Sequence, residues 1–359
     1  MQREKIDYPF IDGLRLLAFL LVFFRHFNFF TVPVLHEYGW IGVEFFFLIS
    51  GFLITRLLVT EFNTTGVIDK RKFFMRRILR IWPLYFFYLF LVLFLSIIYP
   101  GYPVSVPRLA GNLLFADNWI SALKNYNPNF ASFHLWSISL EEQFYFVLPF
   151  FVVWLQKLSR KQVSLLFTLI LILFICWRCL AVWNGWLHPY IYTLPASGDC
   201  FLAGVIIGSG FYDQYLKKIH SSVYLLSGIL FLLVNYLIFP QRAVIGLNQI
   251  PLYFFIALGF SCFLLAGLYS GRNWLISALG HPVIRYLGRI SYGLYVYHIV
   301  ALIITFQLFK GGLAAGTTPW SLPVALLITF VFAALSYELL EKKFLRRKKK
   351  YTVIQNSGT

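Results

Sequence analysis

Charged residues are scarce in this sequence, in which only 13% of the 359 residues are Asp, Glu, Lys or Arg. Hydrophobic residues make up 59% of the chain and aromatic residues 20%. A soluble domain needs about twice this share of charged residues to cover its surface, whereas a polytopic membrane protein does not. The composition therefore predicts an all-α, polytopic integral membrane protein.

Several common catalytic and binding motifs are also missing. There is no H-E-x-x-H zinc motif, no G-x-S-x-G nucleophile motif and no glycine-rich phosphate loop. The four cysteines all lie in apolar runs, and Cys176 and Cys179, although spaced C-x-x-C, lie within one of them. We interpret these cysteines as small apolar core residues. We expect no metal site and no bound cofactor.

The net charge of +17 indicates membrane topology and not a nucleic-acid partner, because the basic residues fall in short loops between apolar segments. If the N-terminus is cytoplasmic, 22 basic residues fall in cytoplasmic segments and four in external loops. The positive-inside rule then places both termini in the cytoplasm and requires an even number of spans.

We expect about ten transmembrane helices, without internal repeats. The first apolar run lacks a small-residue cleavage site and is interpreted as a retained span. Together the spans form a membrane domain over residues 1–345, followed by a basic cytoplasmic tail over residues 346–359. The predicted segments are 9–31, 38–60, 82–100, 136–156, 162–183, 192–211, 221–239, 250–270, 286–308 and 320–340.

The first apolar run, residues 8–31, keeps ionisable side chains that cost roughly 2.5–3.5 kcal/mol each near the centre of a membrane span. Arg15 and His26 are eleven residues apart, so they share one helical face about 16 Å apart along the axis. This pair is a candidate for function. Arg25 points about 100° away from His26 and is expected to be structural. Asp12 lies one turn from Arg15 and is expected to pair with it.

A basic stretch at residues 70–80 contains six cations and no acid. Arg77 and Arg80 are three residues apart and would be neighbours on a helix surface. Two interpretations are open. The stretch is a stop-transfer anchor that attracts anionic lipid, or it is a clamp for a phosphorylated cytoplasmic ligand, because guanidinium groups bind phosphate in a bidentate manner.

The longest external loop leads into a polar face at the start of the fourth predicted span. His134, Ser137 and Glu141 are spaced i, i+3 and i+7, which places them on one side of a helix. They either cap the helix at the membrane interface or form an acid/base cluster at the external membrane face. The spacing alone does not separate these alternatives.

Six motifs occur in a fixed order along the chain. They are the R-x10-H pattern from Arg15 to His26, GVEFFFLISGFLI (42–54), RRILRIWPLY (76–85), HLWSISLEEQFY (134–145), LGRISYGLYVYH (287–298) and SYELLE (336–341). In this order, and on about ten spans, the motifs resemble the acyltransferase-3 family of integral-membrane O-acyltransferases. The resemblance extends from residue 12 to residue 344.

The resemblance implies transfer of an acyl group, most often acetyl, from cytoplasmic acyl-CoA to a hydroxyl of a cell-surface or lipid-linked carbohydrate. Acetyl-CoA would be a co-substrate, and the chain would reside among the lipids of the bacterial cytoplasmic (inner) membrane. Lipopolysaccharide, capsule, exopolysaccharide, peptidoglycan and a small glycoside are all compatible acceptors.

Roles for individual residues follow from the motifs that match. We expect His26 to be the general base, since neutral imidazole is available near pH 7, with Glu141 orienting it and His134 nearby. A transient acyl-histidine on His26 is an open alternative. The expected acyl-CoA-binding residues are Arg15, Arg77 and Arg80, and the expected supporting residues are Ser137, Tyr292, His298 and Asp199.

The chain departs from the family pattern at three positions. Glu44 stands where the family often has Asp, Ser197 where it usually has Arg, and Lys343 where it has Pro. The change at Ser197 puts a donor-binding role of that helix in doubt. The chain ends 18 residues after Glu341, so we expect it to act without a fused esterase-like domain, alone or with a partner.

Two hypotheses from other classes are kept. Arg15, Glu44, Arg178 and Asp199 could line the pathway of a transporter or glycan flippase. The missing repeat symmetry argues against transport, and neither the R-x10-H pattern nor the His134 face is needed for it. A non-catalytic membrane scaffold is the third hypothesis.

Overall fold

The computed structural model describes residues 8–27, 33–98, 104–123, 131–239, 246–269, 274–309 and 320–353. Within these ranges the chain forms helices and no strands. A π-helical turn at Tyr337–Glu341 joins the last two helices, and 3₁₀ turns occupy Phe133–Leu135, Leu247–Gln249 and Lys349–Tyr351. The helices are α1 (Pro9–His26), α2 (Pro33–Tyr38), α3 (Ile41–Thr65), α4 (Lys70–Ile98), α5 (Val106–Leu113), α6 (Asp117–Leu123), α7 (Trp136–Leu155), α8 (Arg160–Trp183), α9 (Leu187–Tyr192), α10 (Leu194–Ser197), α11 (Asp199–Ser209), α12 (Asp213–Leu216), α13 (Ser221–Ile238), α14 (Leu252–Tyr269), α15 (Trp274–Leu279), α16 (Pro282–Arg289), α17 (Ser291–Leu308), α18 (Ser321–Ser336) and α19 (Lys342–Lys348).

Eight helical segments in the described ranges are long and apolar enough to cross a membrane. This confirms the predicted all-α, polytopic membrane fold. Each corresponds to one of the ten predicted spans. The eight are Ile41–Thr65, Lys70–Ile98, Phe133–Leu155, Arg160–Trp183, Ser221–Ile238, Leu247–Tyr269, Ser291–Leu308 and Ser321–Tyr351.

The other two predicted spans take different forms. α1 has 18 residues, enough for about 27 Å, but it carries the charged residues Asp12, Arg15 and Arg25. The span predicted over 192–211 is divided at Gly198 into α10 and the 11-residue α11. α11 alone rises about 16 Å, roughly half of the hydrocarbon thickness.

α11 is held by two features of the packing. A Cβ atom on Gly204 would lie 2.4 Å from the Leu48 carbonyl oxygen, and one on Gly51 would lie 2.7 Å from that of Phe201. α11 and α3 therefore touch backbone to backbone, as small residues allow between membrane helices. α3 carries Ser50 toward the candidate site on the same stretch as Gly51.

α4 begins twelve residues before the predicted span. The basic stretch is helical and continues through Pro83 into the apolar part. The predicted segment began only at residue 82 because the residues before it are charged. Hydropathy does not detect a charged extension of a helix. As a result Arg77 and Arg80 lie on the spanning helix itself, one turn apart.

A short helix joins α1 to the base of α17. α16 packs so closely on α1 that a Cβ atom on Gly288 would lie 1.9 Å from the Asp12 carbonyl oxygen. This contact brings the neighbouring Arg289 beside Asp12. The predicted span over 286–308 therefore begins at Ser291, and its first residues belong to α16.

Candidate active site

A pocket of about 160 Å³ is lined by residues of α1, α3, α4, α7, α16, α17 and α19, and by Tyr337 of the π-helical turn. Five of the described residues that line it carry a cationic side chain and two carry an acidic one. We call it the cationic pocket. Three arginines predicted to bind a donor are brought together here from two helices distant in sequence. The charged lining residues are Arg15, Arg77, Arg80, Arg289, Lys348, Asp12 and Glu141.

Asp12 is shared among several cations. Its carboxylate lies 3.9 Å from Arg15, as its position one turn away predicts. It also lies 3.7 Å from Arg285 and 3.9 Å from Arg289. One carboxylate therefore faces three guanidinium groups, and it leaves most of their charge available to a ligand.

The other three cations of the pocket have no acidic partner among the residues that the structure describes. In the described part of the chain, no carboxylate lies within 4 Å of the charged groups of Arg77, Arg80 or Lys348. The Arg77 guanidinium lies 5.8 Å from the centre of the Tyr145 ring, a cation–π distance. Its Nε atom is buried without a hydrogen-bond partner in the same ranges. A partly buried group of unmatched cations favours an anionic ligand, and phosphate in particular.

Glu141 lies in the cationic pocket, not beside His26. Ser50 donates a hydrogen bond to its Oε1 atom at 2.5 Å, and the Tyr145 hydroxyl donates to the same oxygen. Over the described residues, no hydrogen bond joins Glu141 to His26. The expectation that Glu141 orients His26 by direct contact is therefore not met. The reason is geometric, since His134 lies in the 3₁₀ turn before α7, whereas Glu141 lies more than a turn into that helix and bonds to Ser50 of α3.

Three histidines from different parts of the chain meet beyond the pocket. His298 Nε2 lies 3.2 Å from His26 Nδ1, and the two ring centres are 5.1 Å apart. The His134 and His298 ring centres are 5.0 Å apart. We call these residues the histidine cluster. The sequence predicted a role for each of them, and α17 supplies the residue that contacts His26.

Backbone carbonyls indicate where the hydrogens of the cluster lie. His298 Nδ1 faces the Tyr295 carbonyl at 2.5 Å, and His26 Nδ1 faces that of Val22 at 3.0 Å. A carbonyl only accepts, so each Nδ1 carries the hydrogen in the neutral ring. The single hydrogen on His26 Nδ1 is then shared between the Val22 carbonyl and His298 Nε2, and His26 Nε2 keeps a lone pair. His26 is half-buried whereas His134 and His298 are buried, so His26 is the member that a substrate can approach.

Ser137 and Tyr295 lie between the pocket and the cluster. Their hydroxyl oxygens are 2.6 Å apart, and the Tyr295 hydroxyl donates to the His134 carbonyl at 2.8 Å. Both residues line the pocket. The Tyr295 ring centre is 5.4 Å from that of His134 and 5.5 Å from that of His298. This pair is therefore the boundary that the two sites share.

The other two supporting residues occupy different positions. Tyr292 lines the pocket and donates a hydrogen bond to the Ile81 carbonyl at 3.0 Å. Asp199 forms a buried ion pair with Arg178 at 2.5 Å, and Arg178 also donates to the Ala196 carbonyl at 3.0 Å. This ion pair ties the α10–α11 break to α8. This structural role explains why an acidic residue is buried at position 199, and it requires no part for Asp199 in the reaction.

Sequence reasoning overlooked several pocket residues. Tyr145 is four residues after Glu141, so helical spacing could have identified it. Ser50 and Lys348 reach the pocket only through packing, and no local pattern distinguishes them from other serines and lysines. Arg289 is the last residue of α16, and the break before α17 places it 3.9 Å from Asp12.

Comparison with known proteins gives a consistent result. An acyltransferase-domain model, that of the acyltransferase-3 family, matches residues 8–338. A Staphylococcus aureus protein provisionally named an O-acetyltransferase is 27% identical over 95% of this chain and 58% of its own length. The peptidoglycan O-acetyltransferase OatA of Listeria monocytogenes is 26% identical over 93% of this chain and 55% of its own length.

A third relative is Bacillus subtilis YrhL, provisionally named a peptidoglycan O-acetyltransferase, which is 27% identical over 93% of this chain and 54% of its own length. The chain thus spans about half the length of the curated relatives it matches. No solved structure matches it significantly.

Proposed function

Since this chain belongs to the acyltransferase-3 family, whose model matches residues 8–338, we propose that it transfers an acetyl group from acetyl-CoA to a carbohydrate hydroxyl. The observation that carries this proposal is the position of two sites along α1. The cationic pocket contains Arg15, and the histidine cluster contains His26 about 16 Å further along the helix. A phosphate-bearing thioester is long enough to occupy both.

The donor binds by its phosphates in the cationic pocket. The unmatched groups of Arg77, Arg80 and Lys348 hold the phosphates, and the thioester end extends past Ser137 and Tyr295. The basic residues at this end fall in segments that the charge distribution predicts to be cytoplasmic. The donor is therefore taken from the cytoplasm.

The acceptor hydroxyl reacts at His26. Its pKa lies far above 7, so a base must take the proton as the oxygen attacks. His26 Nε2 takes that proton, the oxygen bonds to the thioester carbonyl carbon, and the carbon–sulfur bond breaks. The thiolate then takes the proton from His26. His298, whose Nε2 lies 3.2 Å from His26 Nδ1, holds the imidazole in the required tautomer.

The acceptor is a cell-envelope glycan. Two relatives are named as peptidoglycan O-acetyltransferases, one of them provisionally, which makes peptidoglycan the first acceptor to test. The proposed location is the bacterial cytoplasmic membrane, with the histidine cluster toward the outer face.

The proposal is tested with purified protein in phospholipid nanodiscs, acetyl-labelled acetyl-CoA and peptidoglycan fragments. We expect labelled acetate on the glycan and a loss of about 10²- to 10⁴-fold in rate for His26→Ala, the usual contribution of a general base. His220→Asn is the matched control, because His220 only caps α13 and Asn caps helices well.

Failure of the wild-type protein to transfer or hydrolyse label, with the protein folded, would overturn the proposal. The transporter hypothesis is tested with the same protein in sealed phospholipid vesicles. Movement of a glycan across the vesicle membrane without acetylation would support that hypothesis in place of the enzyme.

A further inference from the structure

Lys348 is a buried lysine at the end of the last described helix. It lies outside residues 8–338, the part that the family model matches. Only 8% of its surface is exposed, although Lys349 and Lys350 beside it are exposed. Lys348 lines the cationic pocket, where no carboxylate within the described ranges lies within 4 Å of its ammonium group.

The segment that carries Lys348 is held against α4 at a specific position. Arg76 donates one hydrogen bond to the Tyr351 carbonyl at 2.8 Å and another to Glu61 at 2.9 Å. Glu61 also accepts from the Asp69 backbone N–H at 2.9 Å. The terminal segment is therefore tied to α3 and α4 through a nearly buried ion pair, and it covers one side of the pocket.

An ammonium group is costly to bury without an anion, and more so beside other cations. Arg15, Arg77 and Arg80 line the same pocket as Lys348. The π-helical turn at Tyr337–Glu341, a feature frequent at functional sites, directly precedes α19, the helix that ends at Lys348. The grouping of these cations therefore favours an anionic ligand.

We propose that Lys348 is a phosphate-binding residue of the donor site, so that the segment after the family domain completes the pocket. This inference rests on the proposed function. The recognised chemistry is a phosphate group, which either acetyl-CoA or the headgroup of a membrane lipid could supply. We assign it to acetyl-CoA, because Lys348 shares the pocket with the arginines that the thioester donor requires.

The experiment measures CoA binding and acetyl-CoA kinetics for the full chain in phosphatidylcholine nanodiscs. The variants are Lys348→Ala, Lys348→Arg and the exposed control Lys349→Ala. We expect Lys348→Ala to weaken CoA binding and raise the KM for acetyl-CoA about tenfold or more, as expected for loss of a charge-assisted hydrogen bond. Lys348→Arg should keep most of the affinity, and Lys349→Ala should change neither value.

Acetyl-pantetheine, which lacks phosphate, separates binding from structure. We expect wild type and Lys348→Ala to use this donor equally well. Equal slowing of both donors in the variant would mean a structural role and would overturn the proposal. An unchanged CoA affinity in Lys348→Ala would also overturn it.

Lipid as the source of phosphate is tested by adding phosphatidylglycerol to the nanodiscs. If Lys348→Ala changes retention of that lipid and leaves CoA binding unaltered, the assignment to the donor is wrong. If wild type itself does not bind CoA, the proposed function fails, which is a different result from failure of the Lys348 assignment.

Discussion

The two ends of the face shared by Arg15 and His26 are built differently. At the Arg15 end, the cationic pocket holds Arg77, Arg80 and Lys348 without acidic partners in the described part of the chain. At the His26 end, His26 and His298 are hydrogen-bonded to each other, and each member of the histidine cluster also faces a backbone carbonyl. The first end depends on a ligand to balance its charge, whereas the second is organised before any ligand arrives.

This difference predicts which kinetic constant each end controls. Cations that meet a donor phosphate in both the ground state and the transition state contribute uniform binding, which appears in KM. A base that acts only as the proton moves contributes to kcat. Variants at the two ends should therefore separate the two constants.

The largest effect on the donor KM is expected for the double variant Arg77→Ala and Arg80→Ala. Each charged hydrogen bond to phosphate is worth about 1.5–3 kcal/mol, so the KM for acetyl-CoA should rise by about 100-fold or more, with a smaller change in kcat. Steady-state kinetics in nanodiscs measure both constants.

The matched control removes the same charge from the same helix, by Arg71→Ala and Lys72→Ala, both exposed residues. An equal rise in KM for the control would mean that the basic stretch acts through overall charge. If only the Arg77 and Arg80 variant loses folded protein, these residues act in membrane topology and not in donor binding.

A smaller effect is expected for His298→Gln. His298 positions His26 and is not expected to touch substrate, so kcat should fall about 10- to 100-fold while the donor KM stays within about twofold. Direct measurement of the KM-against-kcat split tests this positioning role, with His220→Asn as the unaffected control. A rise in donor KM equal to the fall in kcat would contradict it.

The smallest effect is expected for Glu141→Gln. The amide can still accept from Ser50 and Tyr145, and Glu141 does not contact His26, so kcat should fall by no more than about fivefold. Glu142→Gln on the next position, where Trp82 donates at 3.2 Å, is the control. A loss of 100-fold or more, with the protein folded, would restore the prediction that Glu141 orients the base.

Much of the fold was predictable because each span is a local property. The predicted spans 162–183 and 221–239 are apolar over the length of a bilayer, and the observed helices, Arg160–Trp183 and Ser221–Ile238, match them within two residues. The break at Gly198 was not predictable in this way. The composition of 192–211 stays apolar across it, and only the buried Arg178–Asp199 pair indicates where the chain turns.

The candidate site was predictable wherever its residues lie on one helix. Arg15 with His26, and Ser137 with Glu141, were assigned to common faces by their spacing, and the structure keeps each pair on one helix. The partner of His26 could not be identified by spacing, because His298 is 272 positions away in the chain. The same limit applies to Ser50 and Lys348.

Composition and spacing were enough to predict a polytopic helical membrane protein with ionisable groups on α1, because the cost of placing a side chain in hydrocarbon is set residue by residue. Helix packing places Glu141 in the cationic pocket, brings His298 to His26 and turns Lys348 inward. Those outcomes depend on how breaks at Gly198, Ile290 and the π-helical turn orient whole helices against one another. No local pattern encodes that packing.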